Sequence, residues 1–211
     1  MSKQLLSVAV VFGLASAAWA GKYNPTMEIG QAAPSWSELP TAMGKTSSLN
    51  DFADKELVVV AFSCNSCPYA VDYEDRIIDF CKKHCGRDGK VGFVMINVNK
   101  AKDDLLPAMK KRATEKKFSF PYSFDESQKI AKDFGATRTP EFFVLDKDRK
   151  VAYMGAMDDS PDSKKVKQRY LEDAVTSLLS GGKPGVTETV AIGCNVRYER
   201  RRRSRRKNAQ R

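Results

Sequence analysis

The sequence is short of histidine, of long apolar runs and of acidic residues at its C-terminal end. Its one histidine, His84, reads as a helix C-terminal residue that complements the helix dipole, which leaves little for a Cys/His nucleophilic pair. After the first twenty residues no stretch approaches the ~20 apolar residues of a membrane span, so no transmembrane segment is expected in the mature chain. No internal repeat is visible, which argues against a solenoid or propeller. From residue 197 to residue 211 one acidic side chain stands against nine basic ones, so +8 of the formal net charge of +10 lies there. With that segment and Lys3 set aside, residues 21–196 carry +1. A body this close to neutral does not make a nucleic-acid-binding domain.

What is present is one globular domain's worth of chain. There are 211 residues, 42% hydrophobic and 29% charged, enough to bury a full core without a disulfide scaffold. Residues 1–20 read as a secretory signal peptide. Lys3 supplies the positive start, residues 5–18 the apolar run, and Ala18-Trp19-Ala20 a cleavage site before Gly21. No cysteine follows that cut, so lipid anchoring there is not expected. The mature chain is expected to be periplasmic or secreted, where disulfides persist. At the other end residues 198–211 read as a basic, disordered tail. It is either a solvated end or a contact to an anionic surface, with no specific nucleic acid as partner.

Between these ends residues 21–50 are turn-rich and read as an N-terminal extension with a short hairpin. Residues 57–62 and 91–98 are continuous apolar runs, hence buried strands. Pro68 marks a helix start, and that helix runs to a stop at Gly86. Residues 103–116 read as a charged surface helix and 127–134 as a short helix closed by Gly135. Residues 141–145 and 150–154 form a strand pair around a polar turn, and 164–180 a final amphipathic helix. The fold class is α/β, a central mixed β-sheet flanked by helices with an antiparallel hairpin at one edge.

The chemistry concentrates in Cys64-Asn-Ser-Cys67-Pro68, at the junction of strand and helix. A helix N-terminus stabilises a thiolate, and a second cysteine one turn on can resolve a mixed disulfide. Cys64 is expected to attack and Cys67 to resolve. Three other readings compete: a structural disulfide, two unconnected buried thiols, and zinc. The spacing Cys64-x2-Cys67 followed by Cys81-x3-Cys85 resembles a four-ligand zinc framework, but Cys81 falls on an apolar helix face. No metal or cofactor is therefore expected. Thr137-Arg138-Thr139-Pro140 leads directly into a strand, where proline cannot donate to the ladder; a cis-proline facing the dithiol accounts for it.

These motifs resemble the thioredoxin superfamily, and within it the redoxin, or peroxiredoxin-like, branch. Ile29-Gly-Gln-Ala-Ala-Pro34 and Ser48-Leu-Asn-Asp-Phe52 are similar to that branch's lead-in. Phe62-Ser-Cys-Asn-Ser-Cys-Pro-Tyr69, Phe120-Pro-Tyr-Ser-Phe-Asp-Glu-Ser-Gln128 and Thr139-Pro-Glu-Phe-Phe143 follow in the expected order. Tyr153-Met-Gly-Ala-Met-Asp-Asp159 and Ile192-Gly-Cys-Asn-Val196 complete the pattern. The resemblance covers about residues 28–197, within a thioredoxin-like domain expected over residues 21–197, and implies a CxxC facing a cis-proline loop. It also implies a partner groove at Arg138, Thr139 and Pro140, with Thr139 lending backbone hydrogen bonds to an extended thiol partner. Two departures matter. Peroxiredoxin sites carry Thr or Ser three residues before the reactive cysteine; here Ala61 precedes Cys64 by three, and Cys64 precedes Cys67 by three. The buried acid of thioredoxin has no counterpart at Ala61, leaving Asp72, Glu74 and Glu141 as candidate proton relays. Arg138 stands where relatives often carry a cysteine; it either charges the dithiol's surroundings or reaches solvent.

The sequence thus points to an exported thiol–disulfide oxidoreductase acting on thiol or disulfide proteins or small thiols. The alternatives are a thiol peroxidase, which would make it an antioxidant enzyme, and a redox-inactive binding module with a structural CxxC or zinc clip. Cys81, Cys85 and Cys194 are left over; inert buried thiols are the default, and a Cys85–Cys194 bridge is one pairing open to them.

Overall fold

The computed structural model describes residues 21–86 and 89–199. The expected leader, residues 1–20, and the tail from residue 200 lie outside the described residues.

The run Leu57–Phe62, named β1, is buried at all six positions and forms the central strand. The chain continues through α1 (Pro68–His84), β2 (Val91–Asn97), α2 (Leu106–Lys116) and β3 (Tyr122–Phe124). Then come α3 (Lys129–Asp133), β4 (Glu141–Leu145), β5 (Val151–Gly155) and α4 (Tyr170–Leu179). The sheet order is β3-β2-β1-β4-β5. β1, β2 and β3 run parallel, while β4 and β5 are antiparallel additions. A two-residue ribbon, Leu39–Pro40 against Thr46–Ser47, forms the hairpin of the N-terminal extension.

Continuous apolar strands require cover on both faces, and the period-two alternation of side chains assigns each residue its side. Val59 and Ala61 of β1 face a cluster that includes Tyr73, Ile77 and Phe80 of α1, Met109 of α2, and Leu171 and Val175 of α4. Val58, Val60 and Phe62 face the other way, against Ile130 and Phe134 near α3 and against Met27, Trp36 and Phe52 of the N-terminal extension. The extension thus supplies part of one core layer.

Two helices begin later than expected, and one strand, β3, has no counterpart among the expected elements. α2 begins at Leu106, with Pro107 in its first turn where a missing N–H costs nothing; residues 102–104 form a separate 3-10 turn. α4 begins at Tyr170. Lys164, Lys165, Lys167 and Arg169 would have put cations at the positive end of the helix dipole, whereas the observed first turn carries Glu172 and Asp173. β3 has only three residues, too few to show a period. Among the described residues no helix is long and apolar enough to cross a membrane.

Candidate functional site

β1 ends at Phe62, and the sheet register sets what lies next to that end. Phe62 is opposite Glu141, the first residue of β4, so the loop entering β4 arrives beside the loop leaving β1. The first loop carries Thr139-Pro140, whose peptide bond is cis, as the sequence implied. The second carries Cys64 and Cys67. Cys67 is the N-cap of α1, its sulfur accepting from the Ala70 N–H at 3.4 Å, with Pro68 following as the first helical residue.

Both thiols are buried, at 3% and 2% exposure for Cys64 and Cys67, so exposure does not separate them. Hydrogen bonding does. Cys64 donates to the Cys67 sulfur, which holds the Cys67 thiol well below its ordinary value while raising Cys64. Burial opposes ionisation of Cys67; Cys194 and the Ala70 amide support it. Both CxxC thiols also meet Thr139. Cys64 Sγ lies 3.5 Å from its hydroxyl, and a protonated Cys67 donates to its carbonyl oxygen at 3.0 Å.

The Asn65-Ser66 dipeptide between the cysteines is pinned from a part of the chain that sequence reasoning assigned no role. The fully buried Asp104 carboxylate accepts from Ser66 N at 2.9 Å and from Ser66 Oγ at 2.6 Å. Asn65 donates to the Asp103 carbonyl and accepts from Tyr122 Oη at 3.0 Å. The negative charge of Asp104 is among the causes that raise Cys64. An acidic pair next to a proline-started helix was the available signal, but nothing in its spacing ties it to the dithiol.

The three candidate relays fall elsewhere. Asp72 is exposed on α1. Glu74 is held by Arg112 through two bonds of 2.7 Å, with Lys116 at 3.5 Å. Glu141 is buried and fixes the proline loop, accepting from Thr137 N at 2.7 Å and Arg138 N at 2.9 Å; burial pushes its carboxyl up against those donors. Arg138 reaches the Gly193 carbonyl at 3.5 Å, and neither thiol counts it among its main influences.

The remaining cysteines split into two places. Cys81 is buried among the apolar side chains of one core layer, with Cys85 packed against it at the C-terminal end of α1. Cys81 lies fourteen positions beyond Cys67, about 21 Å at 1.5 Å per helical residue, so the competing reading of a four-ligand zinc framework does not assemble. Among the described residues no group of three or more His, Cys, Asp or Glu is arranged to hold a metal ion. Cys194 lies at the opposite end, packed against Cys64, Cys67 and Ala70. A Cys85–Cys194 bridge, which needs Cα atoms within about 7 Å, is therefore corrected: the helix holds the two apart. All five cysteines are free thiols. His84 bonds to Glu172 at 2.9 Å, far from the dithiol.

A family model described as Redoxin matches residues 28–170. The search of curated proteins returned no match. Among solved structures, a hypothetical protein from Sinorhizobium meliloti is 32% identical, with a TM-score of 0.76, over 83% of this chain and 97% of its own. An uncharacterized conserved protein from Geobacillus kaustophilus is 30% identical, also with a TM-score of 0.76, over 83% and 95%. A thiol:disulfide interchange protein of the thioredoxin family from Chlorobium tepidum shares the fold at 24% identity, with a TM-score of 0.52, over 63% and 89%.

Proposed function

The chain belongs to the redoxin family and has a thioredoxin-like fold, and from that premise of a thiol redox function we propose that it is a thiol–disulfide oxidoreductase cycling the Cys64–Cys67 pair. The observation that carries this reading is the placement of two buried sulfurs at a helix start against the cis Thr139-Pro140 loop, Cys64 Sγ 3.5 Å from the Thr139 hydroxyl and Cys67 Sγ 3.0 Å from its carbonyl oxygen. In the resting dithiol the negative charge resides on Cys67. Passing the Cys64 proton to Cys67 makes Cys64 the nucleophile, with the Thr139 and Ser66 hydroxyls at 3.5 and 3.9 Å to stabilise its charge. Cys67, now neutral, donates to the Thr139 carbonyl.

Cys64 then attacks one sulfur of a partner disulfide and releases the other as a thiolate. Cys67 loses its proton and attacks Cys64 Sγ, expelling the second partner thiolate and closing the Cys64–Cys67 bond. Two electrons pass to the partner, a disulfide-bearing protein or the disulfide of a small thiol. The reverse sequence oxidises a partner dithiol. Arg138, Thr139 and Pro140 form the wall this partner meets. Export rests on the leader-like residues 1–20, and the arginine-rich tail offers a contact to anionic surfaces.

A second reading, peroxide reduction at Cys67, has one observation in its favour: the N-cap sulfur with its donors. Stopped-flow peroxide consumption at the rate of free cysteine would remove it. Insulin reduction coupled to dithiothreitol tests the main reading. Cys64→Ser and Cys67→Ser are each expected to lower turnover by roughly two orders of magnitude or more, since both thiols are needed per cycle. Full turnover in either variant would sink it.

A further inference from the structure

The groove beside the dithiol is already filled by the chain itself. Cys194–Asn195 pair antiparallel with Arg138–Thr139, with Cys194 opposite Thr139. This is the strand edge that would otherwise offer its main chain to an extended partner. The docking is close and anchored. A Cβ on Gly193 would lie 2.2 Å from the Thr139 carbonyl oxygen, so only glycine passes there. Val196 is buried, and its N–H donates to the Thr137 carbonyl at 2.9 Å. Arg197 N donates to Asn99 Oδ1, and the Arg197 carbonyl accepts from Gln128 Nε2, both at 3.0 Å. What this strap delivers is a third thiol. Cys194 packs on the Cys64–Cys67–Ala70 cluster, and Cys64 and Cys194 are both among the influences that lower the Cys67 thiol.

We propose that Cys194 is the third member of the redox centre, an internal disulfide partner held where a partner's cysteine would lie and exchanging with the Cys64–Cys67 disulfide at Cys67. The inference rests on the dithiol reading above. In the exchange Cys194 gives up its proton and attacks Cys67 Sγ. The Cys67–Cys194 bond forms as the Cys64–Cys67 bond breaks, and Cys64 leaves as a thiolate that takes up a proton. One disulfide replaces another, so no external oxidant or reductant enters. In the reduced protein burial and the bond to Cys67 push Cys194 up to about 11, so it waits as a neutral donor. Because the strap and an extended partner use the same edge, docking of one excludes the other at Thr139. Formation of the Cys67–Cys194 bond would fix the strap in place and leave Cys64 free.

The test uses the full chain carrying Cys64→Ser, reduced and then equilibrated with oxidised glutathione, acid-quenched, alkylated and mapped by peptide mass. The expected product is a Cys67–Cys194 disulfide in most molecules, with Cys81 and Cys85 alkylated. Adding Gly193→Val, which keeps both thiols but obstructs the strap, is expected to lower that yield about tenfold or more by removing the effective concentration. Cys67 recovered free or as a glutathione mixed disulfide, with Cys194 alkylated, overturns the proposal. So does an equal yield with Gly193→Val. The wild-type chain separates the two readings. Insulin turnover and a mapped Cys64–Cys67 disulfide, without the Cys67–Cys194 bond in Cys64→Ser, defeat only the third-cysteine inference. Absence of both in the wild type defeats the dithiol reading itself.

Discussion

The Cys67 sulfur lies 3.0 Å from the main-chain carbonyl of Thr139, the residue that also stands opposite Cys194 and offers its hydroxyl to Cys64. One residue of the proline loop therefore touches all three members of a thiol cluster. The bond to a carbonyl favours the protonated thiol, while Cys64, Cys194 and the Ala70 amide favour the thiolate. The donors prevail as long as Cys64 keeps its proton.

That balance makes the Cys64 proton the main cause of the low Cys67 value, which the ultraviolet absorbance of thiolate at 240 nm can follow. The reduced wild-type protein is expected to show one thiolate ionising well below the ordinary cysteine value of ~8.5. Replacing Cys64 by alanine removes the leading donor, so the same thiol should titrate at higher pH. Cys67→Ser should abolish the early step. A titration unchanged by Cys64→Ala would mean that the helix end alone, and not the neighbouring thiol, sets the value.

The same ionisation has a consequence for folding. Cys67 is lowered from 9.0 to about 4 in the folded state, so between those values the unfolded chain binds the extra proton. Its contribution to stability is fully present near pH 9 and is lost as pH falls towards 4. Cys64 is raised instead, so above pH 9 the unfolded chain ionises more readily and stability turns down. Urea unfolding of the reduced protein should therefore rise in midpoint from pH 5 to 8, more steeply than for Cys67→Ser. The oxidised protein, which has neither thiol, should lack this increment. An identical slope in reduced and oxidised forms would contradict the assignment.

Asp104 offers a structural test of how the CxxC loop is held. Its buried carboxylate satisfies both the N–H and the hydroxyl of Ser66, so Asp104→Ala strands two donors. The expected cost is about 1–3 kcal/mol in unfolding free energy, with lower turnover because Asn65-Ser66 is no longer fixed. Asp104→Asn retains an acceptor and removes the charge that helps raise Cys64, so Cys64 should ionise at lower pH than in the wild type. If Asp104→Ala unfolded at the wild-type midpoint, Ser66 would have to find other partners.

These residues also show where the sequence stops being readable. β1 and β2 are legible because strands covered on both faces must be apolar at every position. Cys67-Pro68 is legible because proline and an N-cap have fixed places in a helix. The Thr139-Pro140 loop follows from the conflict between proline and a strand ladder. By contrast β3 gains its place only from tertiary partners, pairing with β2 at Met95, Ile96 and Asn97 and with the N-terminal extension at Thr41. Asp104 gains its role only when the turn after β2 folds back over Ser66. Cys194 is 55 residues beyond Thr139, and a two-residue ribbon leaves no periodic trace. Counting the leftover cysteines leaves Cys85 as one companion open to Cys194, while the actual neighbours are set by which end of α1 each thiol occupies.

Contacts to the core continue into Tyr198 and Glu199, the first residues of the expected tail. Tyr198 packs against the core layer that holds Phe62 and Phe134, and its hydroxyl donates to the Ala136 carbonyl at 2.6 Å. Glu199 N donates to Gln128 Oε1 at 2.8 Å, and its carboxylate meets Lys100 at 3.1 Å. The exposed ion pair contributes little, but the tyrosine contact and the two hydrogen bonds anchor the strap that carries Cys194. A chain ending at Glu199 is therefore expected to keep the wild-type unfolding midpoint and turnover. One ending at Arg197 should lose about 2–3 kcal/mol and should also form less of the Cys67–Cys194 bond. Both should bind anionic vesicles more weakly than the full chain, since both lack the arginine cluster from residue 200 onward, and that difference should vanish in high salt. Equal stability of the two truncated chains would show that the strap is held without Tyr198 and Glu199.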